Sequence, residues 1–233
     1  MYMDDMLVKS RWEEDHLEDL RETFDTLRFY NMKLNPGKCT FGVTVEKFLG
    51  FMVSQRGIEA NPDKIRAIME MAPPRNVKEV QSLNGKIAAL NRFVSKAMGK
   101  CLPFFRMLKK SFEWTTECQQ AFEELKAYLS APQLLSPSQP GEELFLYLAI
   151  SLAAVSAALI KEEERVQKPV YYASRALRGV EERYPPIEKL TFALVMAAHK
   201  LKLYFQAHTV VVLIDKPPRR AISNLDAAGR LAL

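Results

Sequence analysis

Cysteine and histidine are scarce in this 233-residue chain, and both scarcities exclude chemistry. Cys39, Cys101 and Cys118 are too few and too scattered for a disulfide framework or a zinc site. They read as reduced thiols of an intracellular protein, in the cytoplasm or the nucleus. His16, His199 and His208 leave no histidine-rich metal centre in view. No uninterrupted apolar run is long enough to span a bilayer, so no membrane partner is expected. Charges from Asp4 onward do not read as a signal peptide. Internal repeats and low-complexity tracts are also missing.

What is present suits a globular protein of one or two domains, with 48% hydrophobic and 26% charged residues. The net charge of +5 is modest but unevenly spread. Residues 61–110 hold 11 Lys and Arg against 3 Asp and Glu, a net +8, which leaves −3 for the rest. A basic middle between mildly acidic flanks suggests a polyanion such as nucleic acid. An ordinary solvated helical surface has the same composition.

Ser10, with Glu13 as its capping-box partner, predicts a helix start. Trp12, His16, Leu17, Leu20, Phe24, Leu27 and Tyr30 then recur at helical spacing to about Asn31. Asn35-Pro36-Gly37 is a turn, followed by strand-like runs at 39–43 and 45–53. Pro62 suits the start of a helix to about Met71, and Pro73-Pro74 stops it. A second helix after Asn76 carries Val80, Leu83, Ile87, Leu90 and Val94 on one face, and a third covers 117–129. Residues 131–141 hold three prolines and a glycine and are expected to be a linker. Beyond it come apolar strands at 144–150, 155–160 and 169–174, with Glu162-Glu163-Glu164 at a hairpin tip. A long helix opened by Pro185-Pro186 runs over 187–205, and a β-branched strand over 209–214. That order predicts an α/β unit with a partly parallel sheet.

Met1-Tyr2-Met3-Asp4-Asp5 sets two acids side by side. Adjacent carboxylates repel, and a hard divalent cation such as Mg2+ would relieve that repulsion; a solvated acidic stretch is the other reading. The stretch resembles the Tyr-x-Asp-Asp turn of reverse transcriptases. The text that follows is similar to gypsy-type LTR retrotransposon polyproteins: Leu34-Asn35-Pro36-Gly37-Lys38-Cys39, Phe48-Leu49-Gly50, Gln81-Ser82-Leu83-Asn84-Gly85, Asn91-Arg92-Phe93 and Phe112-Glu113-Trp114. The likeness covers nearly the whole chain in one continuous order. It implies an α+β and α/β multidomain architecture. Residues 1–60 would be the end of the palm, 61–130 a helical thumb and connection, 131–141 a linker, and 142–233 a truncated RNase H-like domain.

The resemblance also implies roles. Asp4 and Asp5 would hold Mg2+ for DNA synthesis from dNTPs on an RNA template. The third carboxylate of that site would come from upstream sequence, so the isolated chain is expected to be inactive. Phe48, Leu49 and Gly50 fall at the primer-grip hairpin. Gln81, Gly85 and Ala89 share one helix face by their spacing. Small residues at two of those positions, Gly85 and Ala89, would admit the minor groove of an RNA–DNA hybrid or primer–template duplex, with Lys86 and Arg92 near phosphates. Spacing alone favours a plainer reading, that Gly85 and Ala89 permit close helix packing. In the RNase H-like stretch Glu188 and Asp215 match two metal-binding acids, but Ala149 stands where the first acid belongs. Loss of that ligand predicts no RNA cleavage, as in a nuclease domain reduced to a structural tether. A non-catalytic nucleic-acid-binding module and a decayed retroelement product are the alternatives to a polymerase fragment.

Overall fold

The computed structural model describes residues 6–10, 12–43, 45–48, 50–54, 56–107, 112–131 and 134–214. The chain divides into two compact units, Met1–Gln55 and Arg56–Leu233.

In the first unit helix α1 spans His16–Phe29, later than the Ser10 cap predicts. Ser10 spends its hydroxyl on His16 Nδ1 at 2.8 Å, and Asp15 stands at the cap position. Of the predicted apolar stripe only Leu27 is buried; Leu17 is 79% exposed. Asn35 accepts a hydrogen bond from Gly37 N at 3.0 Å, which closes the expected turn as one 3-10 coil over Pro36–Lys38. Residues 39–43 form no strand, because Gly42 enters the left-handed region at φ 64° and interrupts the extended run. The 45–53 run is instead a hairpin. Strand β1 (Val45–Phe48) pairs antiparallel with β2 (Phe51–Ser54), and Phe48 stands opposite Phe51. Gly50, at φ 77°, sits in the turn between them.

The second unit begins with β3 (Gly57–Ala60), which pairs antiparallel with β4 (Leu134–Leu135). A Cβ on Gly57 would lie 2.1 Å from the Leu135 carbonyl oxygen, so only glycine permits this pairing. The segment expected to be a linker therefore supplies a strand. Its Leu135 is buried, and the next amide, Ser136 N, donates to Pro169 O at 2.7 Å. The physical reason is the Leu134-Leu135 pair, whose burial outweighs the flanking prolines.

Between these strands lies a helical layer. Helix α2 (Pro62–Met69) is capped by Asn61, which accepts from Asp63 N. Helix α3 (Val77–Ala89) opens with a reciprocal box: Glu79 N donates to Asn76 Oδ1, and Asn76 Nδ2 donates to Glu79 Oε1. A 3-10 turn at Asn91–Phe93 leads into the short helices α4 (Ala97–Lys100) and α5 (Leu102–Met107). Helix α6 (Thr116–Ser130) follows. The predicted α3 stripe is the core: Val80, Leu83, Ile87, Leu90 and Val94 are all buried. Each side chain of that size contributes about 1.5–3 kcal/mol by leaving water. Trp114 stacks on Phe104 and meets Phe122 edge-on.

The remaining elements form a four-stranded sheet in the order β7-β6-β5-β8. They are β5 (Leu144–Ile150), β6 (Ala154–Glu163), β7 (Val166–Ala176) and β8 (Val210–Leu213). Strands β5, β6 and β7 are antiparallel neighbours, and β8 runs parallel to β5, as the element order predicts. Strand β6 runs through Glu163, so the hairpin tip is Glu164-Arg165, both left-handed. Helix α7 (Pro186–Lys200) packs Phe192, Ala193, Met196 and Ala197 on Leu144, Leu146 and neighbouring core residues. The expected long helix breaks at Leu201, and α8 (Lys202–Ala207) continues beyond it.

Candidate nucleic-acid interface and metal site

Helix α3 divides its surface cleanly. Val80, Leu83 and Ile87 face the core, while Gln81, Gly85 and Ala89 are exposed. Among the described residues a Cβ built on Gly85 meets nothing within 4 Å. Close helix packing, the plainer reading of this spacing, is therefore not what Gly85 serves. A glycine inside a helix costs about 0.5–1 kcal/mol relative to alanine, and here no internal contact offsets that cost. The result is a shallow track of small side chains on the open side of a basic segment.

The two cations expected beside that track are used within the protein. Lys86 Nζ donates to Ala67 O at 2.9 Å, in the last turn of α2. Lys126, on α6, adds bonds to Met69 O and Met71 O, both at 2.7 Å. Two ammonium groups thus satisfy carbonyls that a helix C-terminus leaves without internal partners. Arg92 lies with its guanidinium 4.8 Å from the centre of the Tyr171 ring on β7. Both placements differ from the phosphate-facing one, because a helix end and an aromatic face lie within reach of each side chain. Of the hairpin residues, Phe48 and Gly50 are half-buried in the first unit, and Leu49 lies outside the described residues.

Asp4, Asp5 and Asp215 also lie outside the described residues. That leaves Ala149 and Glu188. Ala149 is half-buried near the end of β5, opposite Ser156 of β6. Its methyl group offers no oxygen to a metal. Glu188 lies in the first turn of α7. Beside it Lys189 is only 5% exposed, and its ammonium donates to Leu152 O at 2.9 Å and Ser151 O at 3.4 Å. A positive charge is thus already fixed where β5 turns into β6. Among the described residues no group of three His, Cys, Asp or Glu could hold a metal ion. The donor set of Ala149 and Glu188 does not fit Mg2+.

Sequence reasoning missed Lys189 and Lys126. Lys189 stands three and four residues before Phe192 and Ala193, so its place on the core stripe was legible from helical spacing. Lys126 carried no such signal, since its carbonyl partners lie more than 50 residues away.

Two family descriptions match the chain. One is reverse transcriptase (RNA-dependent DNA polymerase), over residues 1–53; the other is the RNase H-like domain found in reverse transcriptase, over residues 114–212. The retrovirus-related Pol polyprotein from transposon opus of Drosophila melanogaster is 29% identical over 232 residues, covering 94% of this chain and 23% of the polyprotein. That from transposon 412 of the same fly is 31% identical over 220 residues, covering 94% and 18%. The transposon Tf2-3 polyprotein of Schizosaccharomyces pombe is 27% identical over 209 residues, covering 88% and 16%. The chain thus spans less than a quarter of the length of these relatives. Among solved structures, a foamy viral protease-reverse transcriptase in complex with RNA/DNA hybrid superposes with a TM-score of 0.73. The match is 22% identical and covers 97% of this chain and 31% of that one. These likenesses agree: the chain carries a reverse transcriptase stretch followed by an RNase H-like one, and its relatives are retrotransposon Pol polyproteins. Among the described residues no helix is long and apolar enough to cross a membrane.

Proposed function

We propose that this chain is the late palm, thumb and RNase H-like part of a gypsy-type retrotransposon polymerase. Its own contribution is a grip on an RNA–DNA hybrid or primer–template duplex. The observation that carries this reading is the open α3 track, in which Gln81, Gly85 and Ala89 are exposed and none of the described residues approaches the Gly85 Cβ position. A groove floor or a sugar-phosphate edge can come close to a helix only where side chains are short. The basic charge of residues 61–110 supplies the long-range attraction. A structural neighbour holds an RNA/DNA hybrid, which supports the same assignment.

The reaction of the longer polyprotein is Mg2+-dependent DNA synthesis from dNTPs on an RNA template, with Asp4 and Asp5 as the acids this chain supplies. RNA cleavage is not assigned to the RNase H-like unit, because Ala149 removes a ligand and Lys189 sets an ammonium nearby. The test is retention of a labelled hybrid over a salt series. Binding should weaken steeply with log salt, since phosphate contacts release counterions. Gly85→Leu should weaken it at every salt concentration without changing that slope. Retention that ignores salt, or no retention at low salt, contradicts the reading.

A further inference from the structure

The RNase H-like sheet is buried on two faces. Under α7 lie Leu144, Leu146, Val155, Ala157 and Leu159. Strand β7 also meets the 3-10 turn Asn91–Phe93, whose Phe93 is buried. Ser174 Oγ donates to Asn91 Oδ1 at 2.9 Å, and the Arg92 guanidinium stacks on the Tyr171 ring. Tyr171 in turn meets Tyr204 of α8 edge-on at 6.3 Å. A second link fixes the turn from behind. Tyr128 of α6 accepts from Ser95 N and donates to Phe93 O, both at 3.2 Å. The Ser136–Pro169 bond ties the end of β4 to β7 as well. Each tie joins residues far apart in sequence, and only Leu90 separates the turn from the end of α3.

We propose that the RNase H-like sheet serves as a rigid buttress for the α3 track: the Asn91–Phe93 turn, seated on Ser174 and Tyr171 of β7, fixes the direction in which Gln81, Gly85 and Ala89 meet a duplex. Asn91, Arg92 and Tyr171 are positioning residues for that grip. This inference rests on the duplex-binding reading above and adds a mechanical role for the domain that does not cut. The attraction of the Arg92 guanidinium for the Tyr171 ring face, 4.8 Å away, holds the turn against β7. Losing the ring would let α3 sample several directions. If the competent direction fell to a tenth of the population, apparent affinity would fall about tenfold.

The test uses the full chain with Cys39→Ser, spin-labelled at Lys78→Cys on α3 and Lys202→Cys on α8, both exposed sites. The distance distribution between the labels should be narrow. Tyr171→Leu should broaden it and weaken hybrid binding by about tenfold, while Tyr171→Phe, which keeps the ring, should leave both unchanged. A broad distribution in the labelled parent overturns the buttress, whatever the binding. A narrow distribution in Tyr171→Leu with unchanged affinity also overturns it. A narrow distribution in a parent that binds no hybrid at low salt overturns the binding reading itself, and the proposal with it.

Discussion

Ser174 and Asn91 are 83 positions apart in the chain and share a hydrogen bond of 2.9 Å. The bond joins an edge strand of the RNase H-like sheet to the turn that ends the α3 segment. The two regions that a linker was expected to separate therefore pack as parts of one unit.

Gly85 should be replaceable without harm to the fold. Gly85→Ala removes the entropic penalty of a helical glycine and meets no neighbour. It is expected to stabilise the chain by about 0.5–1 kcal/mol, measured by urea denaturation. A loss of stability would show that α3 needs glycine there for a packing reason.

Lys126 should matter more to stability than its surface position suggests. Its ammonium satisfies two carbonyls at the end of α2 and lies over the Phe122 ring. Lys126→Met keeps the aliphatic stem but removes both bonds, and is expected to cost about 1.5–2 kcal/mol, the lower part of the range for charged hydrogen bonds because the site is partly open to water. The same denaturation series measures it.

Restoring one acid should not restore cleavage. Ala149→Asp places a carboxylate near the end of β5 but leaves the Lys189 ammonium fixed on Leu152 O just beyond that strand. No Mg2+-dependent loss of the RNA strand from a hybrid is expected in a gel assay. Cleavage by this single variant would show that the remaining acids still form a working site.

The thiols should react in a fixed order, and stability should fall in alkali. Burial pushes Cys101 up to about 12. A pKa raised in the folded state means that the proton is held more tightly there than in the unfolded chain. The stability this gives is complete below the unfolded value near 9, and drains away as pH rises from there toward 12. Burial raises Tyr172 and Tyr204 as well, which adds loss of the same sign at pH values above their ordinary 10. Denaturation midpoints should therefore drop above pH 9, and less so in Cys101→Ala. Half-buried Cys39 should alkylate first in the native protein, with Cys101 and Cys118 following only on unfolding.

Much of this protein was legible as pattern. Helical spacing placed Val80, Leu83, Ile87, Leu90 and Val94 in the core. Pro62 and Asn76 marked where α2 and α3 begin, and the strand–helix–strand order predicted a partly parallel sheet. These features depend on neighbours within a few residues or on residue chemistry alone, so the amino-acid order settles them.

What the order of residues left open was settled by contacts across long separations. Lys86 and Arg92 read equally well as phosphate ligands until Ala67 O and the Tyr171 ring came within reach. For Gly85 spacing alone favoured helix packing and the resemblance a duplex contact, and among the described residues the space around it is open. Residues 131–141 read as a slack tether until Leu135 found β3 and Ser136 found Pro169. A side chain's charge is fixed by its identity, but the group that charge meets is fixed by the packing of distant segments, and only the tertiary structure could decide it.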